Sequence, residues 1–113
     1  MSDERYAIEH RADQSRYVLL DRQSGDAEIG EEEYVDVDGD RVLFHTRVDE
    51  EYGGQGLASR LVRETVAAAA AEGRAIVPVC PYVKAWAEKH PDAPHAVVTP
   101  TPTHLRAVAE RTR

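Results

Sequence analysis

Over its first half the chain alternates apolar and polar positions, the two-residue period of strands, and near residue 57 it changes to the spacing of an amphipathic helix. Tyr6, Ile8 and His10 predict a short first strand and residues 17–20 a second, with Gln14-Ser15 turning between them. Ser24-Gly25-Asp26 is the next turn. The third strand, 27–37, carries Ile29, Tyr34, Val35 and Val37, with a bulge or an edge expected near Gly30 and a solvated face expected for Glu31, Glu32 and Glu33. Asp38-Gly39-Asp40 then marks a hairpin, because Asp and Gly tolerate the positive φ of tight turns. The returning strand, 41–48, should set Val42, Phe44, Thr46 and Val48 on one face and Leu43, His45 and Arg47 on the other. These segments make an antiparallel meander.

From Leu57 onward, Ala58, Leu61, Val62, Thr65, Val66 and Ala69 share a helix face, and Gly73 ends that helix. The apolar segment 75–80 follows as a strand whose Pro78 gives no N–H to a ladder. It should pair on one side or bend away, so the sheet gapes there and leaves an edge open to another strand. Pro81 suits the first turn of a second helix, 82–89, with Val83, Trp86 and Ala87 inward and His90-Pro91 as the stop. Beyond it, Pro91, Pro94, Pro100 and Pro102 predict an extended tail, with a short helix over 103–111 presenting Leu105, Val108 and Ala109 on one side. The expected organisation is one compact α/β (α+β) domain over 1–92 and a Pro-rich tail over 93–113.

Composition narrows the class. A chain of 113 residues, 42% hydrophobic and 31% charged, reads as one soluble domain that buries an ordinary core. The net charge of -7 argues against a nucleic-acid partner, which requires a basic face, and suits a cationic acceptor instead. The longest apolar run, 66–71, is too short to span a bilayer, so no membrane partner is expected. The single Cys80 excludes an internal disulfide framework and a multi-cysteine zinc site, and the five histidines form no His-x-x-x-His pair. No metal is expected, and a reducing cytoplasm fits.

The chemistry centres on the point where strand period becomes helix period. Gly53, Gly54 and Gly56 let the backbone approach a ligand closely and lead into a helix whose first N–H groups have no intrahelical partner. No Ser, Thr, Asp or Asn stands there to cap it, which points to a phosphate as the cap. A P-loop is excluded, since Gly-Lys-Ser/Thr is missing. A dinucleotide fingerprint is excluded as well, because antiparallel strands precede the turn and Ser59 stands at the third glycine position.

Element order and turn composition together resemble the GNAT superfamily of N-acetyltransferases, whose acyl-CoA loop reads Gln/Arg-x-x-Gly-x-Gly/Ala. Gly56 and Ala58 match it, and Gly53 stands where the family has Gln or Arg. The chain is similar in particular to minimal, single-domain members of the N-acetyltransferase domain-containing protein 1 type. Tyr34, His45-Thr46-Arg47-Val48, Cys80-Pro81-Tyr82 and His90-Pro91 occur in that order, with Arg47 where that type tends to have a glutamate. The resemblance spans about residues 6–92. It implies a GNAT-like fold whose last strands splay apart around the pantetheine arm, acetyl-CoA as the donor, and transfer to an amine by direct attack in a ternary complex. A catalytically weak CoA-binding or sensing module is the alternative.

The site residues follow from the same resemblance. Val48 would offer a backbone N–H to the thioester carbonyl, and Gly53, Gly54, Gln55, Gly56, Leu57, Ala58 and Ser59 would form the pyrophosphate cradle. Arg60 and Lys84 are candidates for further phosphate contacts, or are solvated charges. Cys80, just before a helix N-terminus, reads either as a core residue or as a group touching the acetyl moiety. His45 reads as a general base or as a structural histidine, and Tyr82 as a proton donor to the leaving thiolate or as a packing residue. Asp49, Glu50 and Glu51 would draw a cationic amine or answer the helix dipole.

Overall fold

A computed structural model describes residues 4–91 and 96–113. Pro94 and the expected boundary at 92/93 lie outside the described residues. Five strands, β1 (Tyr6–Arg11), β2 (Arg16–Asp21), β3 (Ala27–Val37), β4 (Asp40–Val48) and β5 (Ile76–Pro78), form one sheet in chain order. The first four are antiparallel neighbours, as the alternation requires, whereas β5 runs parallel to β4. A parallel return needs a crossover, and helix α1 (Leu57–Ala71) supplies it. Helices α2 (Pro81–Lys89) and α3 (Pro102–Arg111) complete the fold.

Two extra residues set which side chains face inward. In β3 the pairing steps from Leu19↔Gly30 to Leu20↔Glu28, so Ile29 is inserted. In β4 it steps from Tyr34↔Leu43 to Glu33↔His45, so Phe44 is inserted. The second bulge corrects the expected faces of β4: Leu43 joins the buried cluster under α1, and Thr46 and Val48 then share its face. The bulge near Gly30 was legible in the sequence. Gly30 has no room for a side chain, since a Cβ there would lie 2.8 Å from the carbonyl oxygen of Arg47.

The main core lies between the sheet and the α1–α2 layer: Tyr17, Tyr34 and Leu43 from the sheet, Leu61, Val62, Val66 and Ala69 from α1, Val83 and Trp86 from α2. Arg41 ties the sheet to the end of α1, with its guanidinium on Asp36, the Tyr17 hydroxyl and Glu72. Its neighbour Asp40 instead faces His104 of α3 at 3.9 Å. The C-terminal helix thus covers the opposite face of the sheet, where the Arg111 guanidinium lies 6.0 Å from the Phe44 ring. Thr101 caps α3 through a capping box with His104, and Pro102 occupies its first turn.

The expected gap is present at the last strand. The β4–β5 ladder covers only Arg41↔Ile76, Val42↔Val77 and Leu43↔Pro78, and the amides of Val79 and Cys80 both turn onto the Leu43 carbonyl. Beyond Leu43, β4 continues to Val48 without β5 beside it. The outer edge of β5 is covered by the chain itself: Ile76 bridges Val97, with hydrogen bonds to the Ala96 carbonyl and from the Val98 amide.

Candidate active site

Three segments meet at the open end of β4. The first is the glycine turn. A short 3-10 turn, Glu50–Tyr52, carries the chain from β4 to Gly53, and Gly56 begins α1 in the left-handed region at φ 75°. No side chain caps α1. A Cβ at Gly54 or Gly56 would meet nothing within 4 Å, so the turn opens onto free space on that side. The early N–H groups of α1 therefore face a concave, uncapped end.

The second segment is the end of β4. Asp49 N–H donates to the Ile29 carbonyl on the β3 side. Alternation along a strand then directs the Val48 N–H to the other side, where β5 has already ended. The third is the start of α2, where Tyr82 stands 42% exposed. Val48, Tyr52, Gly53, Gly54, Gly56, Leu57, Ala58 and Tyr82 line a common cavity of about 200 Å³. Its chemistry is that of an anion cradle joined to an apolar slot.

The cradle is held by residues outside the motif. Asp21, fully buried at the end of β2, receives the Tyr52 hydroxyl at 2.5 Å, the Arg5 guanidinium at 3.0 and 3.1 Å, the Gln23 amide and the Ser24 hydroxyl. The Arg5 and Tyr52 hydrogen bonds hold its carboxyl well below the usual range, and the same contact pushes the Tyr52 phenol up. Tyr6 meets Tyr52 edge to face at 6.2 Å and donates to Gln55 Oε1 at 3.0 Å. None of this was readable from spacing, because Asp21 and Tyr52 are 31 residues apart and neither belongs to a local pattern.

Several expected site residues stand elsewhere. Arg60 begins in the first turn of α1, but its guanidinium binds Glu64 at 2.8 Å and reaches Glu4 and the Tyr6 carbonyl at 3.4 Å. Ser59 lies on the same first turn, beside Ala58 of the cavity wall. Lys84 lines a separate cavity of about 480 Å³ with Pro78, Val79, Glu88, Val97 and Leu105. That cavity is larger than the one at the glycine turn and includes none of the turn's residues. His45 and Arg47 share the far face of the sheet with Glu31, at 3.9 and 3.6 Å. There Arg47 also pairs with Asp49, so part of the acidic run is neutralised.

Cys80 lies 7% exposed at the N-cap of α2 with its sulfur 3.2 Å from Thr46 Oγ1. The Thr46 hydroxyl in turn donates to Glu32 Oε1. Glu32 is completely buried, not on a solvated face as its place in an acidic run suggested. The missed signal was alternation itself: Glu32 faces Tyr17 on β2 and Thr46 on β4, one step from Tyr34 on the inner face. Burial pushes its carboxyl well above the usual range, against the Thr46 hydrogen bond, which favours ionisation.

Comparison with known proteins agrees with this fold. The solution structure of a GCN5-like N-acetyltransferase candidate from Staphylococcus aureus is similar, with a TM-score of 0.64 and 22% identity over 90% of this chain and 97% of that one. At that identity the likeness shows the fold. No curated protein matched the sequence. A family model described as GCN5-related N-acetyl-transferase matches residues 16–97, a stretch running from β2 through the glycine turn to the segment that covers β5, and the chain belongs to that family.

Proposed function

We propose that the protein is an acetyl-CoA-dependent N-acetyltransferase that transfers acetyl to an amine by direct attack within a ternary complex. The observation that carries this reading is the uncapped N-terminus of α1 at a glycine turn, beside the open end of β4. The backbone of Gly53, Gly54, Gln55, Gly56, Leu57, Ala58 and Ser59 would hold the pyrophosphate, and the slot between β4 and α2 the pantetheine arm. Acetyl-CoA supplies an activated acyl thioester when bound. The Val48 N–H would then donate to the thioester oxygen as it gains charge, and Tyr82 would stand beside the leaving sulfur as a proton donor. Holding donor and amine in line supplies most of the rate.

A small amine, a protein N-terminus or a lysine fits an acidic chain of net charge -7. Within the family, we propose the minimal N-acetyltransferase domain-containing protein 1 type, on the ordered residues from Tyr34 to His90. Among the described residues no helix is long and apolar enough to cross a membrane, and we place the activity in the cytoplasm. Calorimetric titration with CoA tests the donor site: no binding at millimolar CoA overturns it. Release of free CoA thiol from acetyl-CoA, measured against polyamines, amino acids and basic peptides, then tests transfer. Arg60, engaged by Glu64 and Glu4, favours a second reading as a weak CoA-binding or sensing module. Binding without thiol release from any amine would support that reading.

A further inference from the structure

A fully buried carboxyl in the middle of a sheet requires a reason, because burial disfavours its charge and an apolar residue would pack there without cost. Glu32 is such a group. Its Oε1 accepts from Thr46, its Oε2 has no hydrogen-bond partner, and no arginine or lysine pairs with it among the described residues. Its strand neighbours Glu31 and Glu33 point to the other face, where Glu31 binds Arg16. What Glu32 does face is a sulfur, through one hydroxyl: Thr46 Oγ1 lies 3.2 Å from Cys80 Sγ.

The chain Cys80, Thr46, Glu32 runs into the sheet from a point next to the cleft, behind two residues of its wall. Val48, two residues beyond Thr46 on the same face, and Tyr82, two residues beyond Cys80, both line the cavity at the glycine turn. Thr46 is partly exposed, whereas Cys80 and Glu32 are buried, so the hydroxyl is the link between the thiol and an acceptor otherwise sealed from water.

We propose that Glu32 is the proton acceptor for the Cys80 thiol, reached through the Thr46 hydroxyl, and that Cys80 takes an acyl group from a thioester when no amine is bound. This rests on the reading of the cleft as an acyl-CoA site and adds to it a covalent acceptor. The Cys80 sulfur bonds to the acyl carbon while its proton passes to Thr46 Oγ1 and the Thr46 proton passes to Glu32 Oε1. The donor's carbon–sulfur bond breaks and its sulfur leaves as a thiolate. That thiolate takes one proton from solvent and Glu32 returns one, so a thiol and a thioester become a thioester and a thiol with no change of oxidation state. The upward shift that burial imposes on Glu32 supports the role, since a carboxylate made more basic is a better acceptor for a thiol proton. The ionisable groups acting on Glu32 are Cys80 across Thr46, and Glu31 and Glu33 beside it on β3.

The test has two arms. In the first, the purified protein is incubated with acetyl-CoA and no amine, and intact-mass and peptide mass spectrometry follow one acetyl group on Cys80, removable by neutral hydroxylamine. Glu32→Gln and Thr46→Val should slow its formation about tenfold or more, and Thr46→Ser, which keeps the hydroxyl, should stay within about threefold of wild type. CoA binding by calorimetry should be unchanged in all three. Equal rates in wild type, Glu32→Gln and Thr46→Val overturn the proposal, as does a wild type that binds CoA and stays unmodified. A wild type that binds no CoA overturns the acyl-accepting half together with the donor reading.

The second arm needs no CoA. The rate of Cys80 alkylation by iodoacetamide is followed against pH. If Glu32 accepts the thiol proton through Thr46, removing that carboxyl changes how readily the reactive thiolate forms, so the Glu32→Gln profile should differ from that of the wild type. Identical profiles, or a Cys80 inert at every pH, overturn the relay whatever CoA does.

Discussion

The Tyr52 hydroxyl donates to Asp21 Oδ2 at 2.5 Å, joining the end of β2 to the residue just before the glycine turn. The turn itself contributes backbone N–H groups but few side chains that could fix its position, so its geometry depends on this contact and on the Arg5 and Ser24 bonds to the same carboxylate. Tyr52→Phe removes the anchor and leaves the ring in place against Tyr6. CoA binding should weaken about three- to tenfold, as expected for one lost hydrogen bond of about 1 kcal/mol, with little change in far-UV circular dichroism. Calorimetric titration checks it, and unchanged affinity would show that the cradle holds itself.

Asp21 also sets the acid limit. Its folded carboxyl titrates below the ordinary carboxylate range, so the stability it contributes is fully present above that range and is lost as pH falls through it. Asp21→Asn should therefore lower the melting temperature at pH 7 and converge with wild type at the acid end of a pH series of thermal melts.

Glu32 works in the opposite sense. Its carboxyl is raised on folding, so the folded state holds the proton longer than the unfolded state does, and stability falls as pH rises from the ordinary carboxylate range toward the raised value. Glu32→Gln should melt about 4 °C or more above wild type at pH 8 and lose that advantage near pH 4. Differential scanning calorimetry at the two pH values decides it.

Gly30→Ala tests the close approach of β3 to β4. The added methyl would lie 2.8 Å from the Arg47 carbonyl oxygen, which is backbone and cannot swing aside. The substitution should cost about 1–3 kcal/mol of stability in urea unfolding, the range of overpacked sites. It should weaken CoA binding too, because Val48 stands directly opposite Gly30.

His45→Ala should leave acetyl transfer within about twofold of wild type, the ordinary outcome for a surface substitution clear of the reacting groups. The imidazole is on the face of the sheet away from Thr46 and Cys80, 3.9 Å from Glu31. A large loss of transfer in the amine assay would require a path around the sheet edge.

Local signals in the sequence were enough to place the elements. Alternation located the four antiparallel strands, Asp38-Gly39 their hairpin and Pro78 the gap, and the helix expected over 103–111 begins one residue earlier, at Pro102. The glycine turn was equally legible, because an uncapped helix after three glycines is a local feature. The insertion of Phe44 was not, since a bulge is fixed by the partner strand and leaves no mark in the strand's own composition. The expected faces of β4 fail for that reason, whereas Glu32 sits two residues from Tyr34 on the inner face of β3, a position that alternation marks although the flanking Glu31 and Glu33 are solvent-side. Contacts such as Tyr52 with Asp21 depend on side chains that meet only after folding.

The bulge at Phe44 acts as a phase switch within a single strand. Before it, β4 sends odd-numbered residues toward the helices, Leu43 last among them; after it, the even-numbered Thr46 and Val48 take that direction. Pairing the same residues without the bulge would leave the first half of the strand packed as it is and turn the second half outward. The cleft would then receive His45 and Arg47 in place of a hydroxyl and a methyl-bearing wall, exchanging a neutral slot for a cationic one. Whether one residue of one strand stands unpaired thereby determines whether the floor of this cleft carries charge.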